Sequence, residues 1–332
     1  MLTLPTPSVA LFSGLPSDIS VEIVSHMDVD QLVRLKGTCS LADEYVGAVL
    51  HTRSRKLLDH GLRSYDGFIA RLVQFRAVVG GIAALCILFP YHGRPPFVDV
   101  FVPDDTYDDF MEYLLYEEGD DEDDGLPHIP QLSLRPPPRY PPGVSVMYRF
   151  SRGDHEKGGF SINLVRSTTS SAVLPITSEL HTALFNYVSP RGFCSAYTQF
   201  NQARLALLNP LRLDEDYVPP KYLRPALAAW CRNGWDLNLV PLSLPNAGPC
   251  RGVASIGCAA ATRYFGDRHC AFGRIVPMHL RHMELEPADD SEDTLTVLWW
   301  RGGVTCGWPC HSGSRELVPG ARVCLRIVAD GV

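Results

Sequence analysis

The sequence predicts an α+β fold. It reads as an N-terminal three-helix unit, a central α/β domain, and an irregular, Cys-rich C-terminal region with short strands. Three observations predict it. Residues 15–50 carry three successive amphipathic helical patterns. Residues 77–166 alternate short β-type runs with helical ones. Seven of the ten cysteines lie beyond Trp230, in a stretch rich in Gly and Pro. A chain of 332 residues exceeds one small core and divides at residues 12–60, 65–215 and 216–332, with an acidic and Pro-rich loop at 117–142.

The first helix takes Ser17 as its cap and Asp18 in its first turn, and shows Ile19, Ile23, Val24 and Met27 at helical spacing. Asp28 and Gln31 have the form of a capping box that opens a second helix, with Leu32, Leu35 and Cys39 on one side. Ser40 caps a third, with Leu41, Tyr45 and Val49 on one face. A unit of about 36 residues cannot bury all of its apolar side chains by itself. Some of them therefore form an exposed patch, which marks a partner surface.

These residues carry a family resemblance. Leu15-Pro16, Asp18, Glu22-Ile23, His26-Met27-Asp28, Asp30, Leu32, Arg34-Leu35 and Thr38-Cys39 resemble an F-box. The family often places a Trp just after the Cys, where Ser40-Leu41-Ala42 stand here. The resemblance implies docking on a Skp-type adaptor within a cullin-based ubiquitin ligase, with Leu15, Pro16, Ile19, Ile23, Leu32 and Leu35 as adaptor-binding anchors and an unknown client on the C-terminal body. Such a protein is an adaptor and needs no catalytic residue of its own.

Beyond residue 50 the helical pattern continues. Arg53, Arg55 and Lys56 read as a solvated face, and Phe68, Leu72 and Phe75 as core. Ala77 to Val79 is a short strand, Gly80-Gly81 opens a buried helix to Phe89, and Phe97 to Val102 is a second strand with Asp99 inside an apolar run. A helix follows from Thr106. Val144 to Phe150 and Phe160 to Arg166 form a hairpin across a polar connection. The pattern then predicts a helix from Thr177 or Ser178 to Val188 and another over 203–208.

This order resembles the nucleotidyltransferase superfold over about residues 70–189. The resemblance implies a Gly-Gly pair beside nucleotide phosphates, two carboxylates one residue apart on the next strand, and a third acid on a later strand. Residues i and i+2 of a strand share a face, which lets paired acids hold divalent metal. Here Phe97 stands at the first acid position, Asp99 at the second and Asn163 at the third. One carboxylate is a poor donor set for magnesium, so Gly80, Gly81 and Asp99 read as a vestigial nucleotide site, the alternative being a packing role for the glycines. The phrases at 177–197 and 262–270 resemble fungal proteins in which an F-box precedes such a module.

In the last third, Cys250, Cys258 and Cys270, with His269, Cys306, Cys310 or His311 as a fourth ligand, form one candidate zinc set. Buried free thiols are the other reading, since the spacing is not that of a known finger. Residues 294–300 and 321–328 read as strands, and Trp299-Trp300 as core or as a peptide-binding face.

The formal net charge is -7, and seven acids fall in Glu117 to Asp124. The remainder is balanced, which argues against a general nucleic-acid-binding field. The apolar run Val78 to Phe89 is too short to span a bilayer. No secretory leader is expected, and ten cysteines without one point to reduced thiols in cytoplasm or nucleus.

Overall fold

The structure, a computed structural model, describes residues 14–118, 133–134, 140–152, 160–214, 216–240, 256–259, 261–275, 295–300 and 322–326. Three helices open the described chain: α1 (Ser17–Ser25), α2 (Val29–Lys36) and α3 (Ser40–Leu58). The capping box of α2 is present. Gln31 N–H donates to Asp28 Oδ1 at 3.1 Å, and Asp28 N–H donates to Gln31 Oε1 at 2.9 Å. Two caps differ from expectation by one residue. Ser17 is the first helical residue of α1, after Pro16, and no side chain caps that end. Cys39 caps α3 in place of Ser40, its Sγ accepting from Ala42 N–H at 3.4 Å. Helix α4 (Tyr65–Gln74) is capped by Ser64.

The body is a mixed α+β arrangement. In chain order come β1 (Val78–Gly80), α5 (Gly81–Leu88), β2 (Val98–Val102), α6 (Tyr107–Tyr116), β3 (Ser133–Leu134), β4 (Val144–Arg152) and β5 (Phe160–Ser167). They are followed by β6 (Asn186–Ser189), β7 (Gly192–Ser195), α7 (Thr198–Gln202), β8 (Leu205–Leu207), α8 (Arg224–Arg232), β9 (Asp236–Asn238), β10 (Thr262–Tyr264) and β11 (Ala271–Arg274). The last elements are β12 (Leu295–Trp300) and β13 (Arg322–Arg326). Eight strands make one sheet in the order β11-β7-β6-β1-β2-β5-β4-β3. Only β2 and β5 pair in parallel within it, and the long crossover that such a pair needs contains α6 and β4. β10, β12 and β13 form a second sheet, and β8 and β9 a third.

Two predicted helices are absent. Residues 177–188 form short 3-10 turns, Pro175–Ser178 and Thr182–Leu184, and then strand β6. Residues 203–208 contain β8. Buried polar side chains explain the difference, because they bond backbone groups that a helix would pair internally. Thr182 Oγ1 accepts from Leu207 N–H at 2.9 Å. Asn209 Nδ2 donates to the carbonyls of Thr177 and Glu179 at 3.1 and 2.8 Å.

One hydrophobic core joins the helical trio to the sheet. Val24, Leu32, Leu35, Val49 and Leu50 belong to the same cluster as Val79, Leu88, Val100, Leu164 and Phe193. Arg53 ties the junction. It was expected on a solvated face, yet its Nη1 donates to Ile87 O at 3.2 Å, and its Nη2 donates to Ser25 O at 2.9 Å and to Met27 O. These carbonyls lie at the C-terminal ends of α1 and α5, where unsatisfied acceptors and the helix dipole favour a cation. Burial pushes the guanidinium down to about 10, against the nearby charge of Asp28. Arg55 and Lys56 are exposed, as expected.

Candidate functional site

Helix α1 presents two different faces. Ser20 and Val24 point inward and are fully buried. Ile19 and Ile23, four residues apart, remain 46% and 40% exposed. Pro16 is exposed beside them, Leu15 is half-buried, and Val21 and Leu41 are further exposed apolar residues of the trio. The exposed members sit at one helical period and form a stripe. Leu32 and Leu35 correct the sequence reading. Both are buried in the chain's own core, because α2 has a single apolar stripe and turns it toward α3 and the sheet. Of the six expected anchors, Pro16, Ile19 and Ile23 face outward and Leu15 is half-buried.

The second candidate lies where β1 gives way to α5. Gly80 stands opposite Asp99 in the β1–β2 pair, and Asp99 stands opposite Asn163 in β2–β5. Gly81 has φ +57, and a Cβ there would come within 2.6 Å of Asp99 Oδ2. A Cβ on Gly80 would meet the Phe101 ring at 2.4 Å. Both positions thus demand glycine, and they let the Asp99 carboxylate approach the N-terminal end of α5. Asp99 Oδ1 accepts from Asn163 Nδ2 at 2.7 Å, and Asn163 Oδ1 accepts from Arg149 Nε at 2.7 Å. The Arg149 guanidinium lies 5.1 Å from the centre of the Phe97 ring.

Glu179 acts on the Asp99 carboxyl through its charge and was missed in the sequence. Burial pushes the Asp99 carboxyl up to about 8, the charge of Glu179 adds to the rise, and Asn163 and Arg149 oppose it. Glu179 is itself raised by burial, with Arg212 opposing. Its only sequence signal was an acid inside an otherwise apolar and small-residue run, which the helical reading of that run concealed. The arrangement is one hydrogen-bonded carboxyl, a second acid beside it and a guanidinium on the same face. It can hold a proton at neutral pH, but no group of three metal-ligating side chains occurs among the described residues.

The zinc reading is only partly within view. Cys250, Cys306, Cys310 and His311 lie outside the described residues. Cys258 is buried, and Cys270 is half-buried. The phrase at 262–270 builds a turn around a buried ion pair. Arg263 binds Asp267 through two nitrogens and donates to Ala196 O at 2.7 Å. Its guanidinium lies 4.6 Å from the centre of the Tyr197 ring and 5.8 Å from that of Trp299. Trp299 is core.

No helix among the described residues is long and apolar enough to cross a membrane. The fold defines the chain as a mixed α+β protein with a helical N-terminal unit. No family model, curated protein or solved structure matches the chain.

Proposed function

We propose that the chain is an F-box-type substrate receptor, the adaptor subunit that links a Skp-type protein of an SCF-type ubiquitin ligase to a client. The observation that carries this reading is the outward stripe of Pro16, Ile19 and Ile23 on α1, which falls on the residues that resemble the F-box docking helix. Covering the remaining exposed part of Ile19 and Ile23 contributes about 1 kcal/mol each, given roughly 1.5–3 kcal/mol for complete burial of such side chains. Two such contributions amount to roughly 30-fold in affinity. Leu15, Pro16 and polar rim contacts supply the rest. The ligase partners perform the chemistry, and the α/β body recruits the client. Cytoplasm and nucleus are the compartments that fit this role. The test is capture of a Skp-type adaptor by the full chain, compared with capture by the Ile19→Asp/Ile23→Asp variant.

A nucleotide-binding module, catalytically silent, is the second reading. Close approach of Asp99 to Gly81 at the start of α5 favours it. Arg149 stacks on Phe97, where the family pattern expects an acid, and Asn163 bonds Asp99. On these strands a single carboxyl and a guanidinium stand where the family pattern expects paired acids, which supports binding without phosphoryl chemistry. A rise in melting temperature with magnesium-nucleotide supports this module, and no rise counts against it.

A further inference from the structure

A groove of about 360 Å³ opens between α4 and α6, within the roughly 300–1,000 Å³ typical of ligand clefts. Asp109, Glu112, Tyr113 and Tyr116 stand at i, i+3, i+4 and i+7 of α6 and make one wall. Phe75, at the end of α4, and Tyr113 are buried and make the floor. Both rings meet Phe110 edge to face, with centroids 5.8 Å apart in each pair. The floor is therefore set before anything binds, which lowers the ordering cost of a contact. Tyr116 is 66% exposed, and its ring stands open to an occupant.

The acids of this region fall into two groups. Arg166 holds Asp104 at 2.6 Å and Asp108 at 3.4 Å, and Arg76 holds Asp105 at 2.5 Å. Glu118 accepts from Arg63 N–H at 2.6 Å and from the Tyr113 hydroxyl at 2.5 Å. Asp109 and Glu112 are exposed and have no side-chain partner among the described residues. These two line the groove together with Glu117, so three carboxylates face the one guanidinium of Arg71 there. Arg71 itself shows the kind of group the groove takes. Its guanidinium lies 5.4 Å from the centre of the Tyr113 ring, and its Nη2 donates to the two Glu117 oxygens at 2.8 and 3.0 Å. A ring face beside a carboxylate suits a planar guanidinium better than a compact ammonium.

We infer that this groove binds an extended protein segment with two arginines two residues apart, one guanidinium between Asp109 and Glu112 and the other over the Tyr116 ring. The spacing supports that register. Residues three apart on a helix have Cβ atoms about 5–6 Å apart, close enough for both carboxylates to reach one guanidinium. Tyr116 lies about 8 Å further along α6 than the midpoint of that pair, at about 1.5 Å per residue. Alternate residues of an extended chain are about 7 Å apart and share a face. The charge of the segment complements the two carboxylates that the chain itself leaves without a partner. Assigning the segment to the client rests on the receptor reading proposed above.

The test titrates the full chain into the fluorescein-labelled, amidated peptide Ala-Arg-Ala-Arg-Ala and follows fluorescence anisotropy at about 50 mM salt. The expected result is saturable binding of one peptide per chain, and weaker binding of the Ala-Lys-Ala-Lys-Ala peptide. Asp109→Asn/Glu112→Gln is expected to weaken binding at least about tenfold, and Tyr116→Ala about fivefold. All three positions are exposed. Equal affinity of the wild type and either variant would mean that general acidic charge, such as the seven acids of 117–124, holds the peptide, and would overturn the inference. So would the lack of saturable binding by the wild type. Capture of a Skp-type adaptor by the same chains reads the receptor role separately. Adaptor capture without peptide binding removes the groove and keeps the receptor, and peptide binding without adaptor capture does the reverse.

Discussion

The outer face of α1 and the surroundings of Asp99 are opposite solutions to the same packing problem. Around Asp99 the chain meets its own demands: Asn163 and Arg149 bond in series to the carboxyl, and Phe97 underlies the guanidinium. On α1 it does not, and Ile19 and Ile23 stand in water although the same helix buries Val24 completely. Asn163 and Arg149 already occupy one oxygen of the Asp99 carboxyl in series. An apolar stripe left uncovered loses free energy until something covers it. The proposed docking role rests on that difference.

The comparison breaks first at the inner stripe of the trio. Leu32→Ala removes a side chain with no exposed surface and is expected to destabilise the chain by about 2–5 kcal/mol in denaturant melts. A cost under about 1 kcal/mol would mean that α2 is not part of the body's core.

The next effect sharpens the view of Asp99. An aspartate in the unfolded chain titrates near 3.9, whereas burial pushes the native Asp99 carboxyl up to about 8. The native state therefore keeps a proton that the unfolded state releases. This contribution is fully present below about pH 4 and is lost as pH rises toward 8, with Glu179 acting in the same direction. Asp99→Asn is expected to flatten that slope and to raise stability at pH 8 relative to wild type, on the order of 1–3 kcal/mol. Urea midpoints at pH 5 and pH 8 measure it, and an unchanged slope in the variant would show that Asp99 is ionised in the fold.

Ile19→Asp/Ile23→Asp removes the covered half of each side chain, and the expected loss is about 1 kcal/mol per site. A loss of about 2 kcal/mol or more per site, on the order of a core truncation, would reveal these residues as core. Asp28→Ala removes half of a capping box and the 3.1 Å bond from Gln202 Nε2. The expected loss is about 1 kcal/mol.

Much of the helical unit was legible because its signals are local. Helical spacing, the Asp28–Gln31 capping box and the breaks before Val29 and Ser40 are read within four residues. The strand–Gly-Gly–helix passage and the β4–β5 hairpin were legible for the same reason. What the sequence concealed depends on distant partners. Leu32 and Ile23 look alike in a helical pattern, and only the sheet decides which one is covered. Arg53 resembles Arg55 until the ends of α1 and α5 converge on it. The 177–188 run looks helical until Asn209 and Leu207 claim its polar groups. Glu179, whose charge acts on Asp99, lies in that same misread run.

The most direct measurement is the affinity of a purified Skp-type adaptor for the folded chain, wild type against Ile19→Asp/Ile23→Asp, by titration calorimetry. The account predicts a stable complex for wild type and a loss of about 30-fold or more for the variant, with both chains folded and melting cooperatively above the assay temperature. Equal affinity for both chains, or no binding by the wild type, would contradict it.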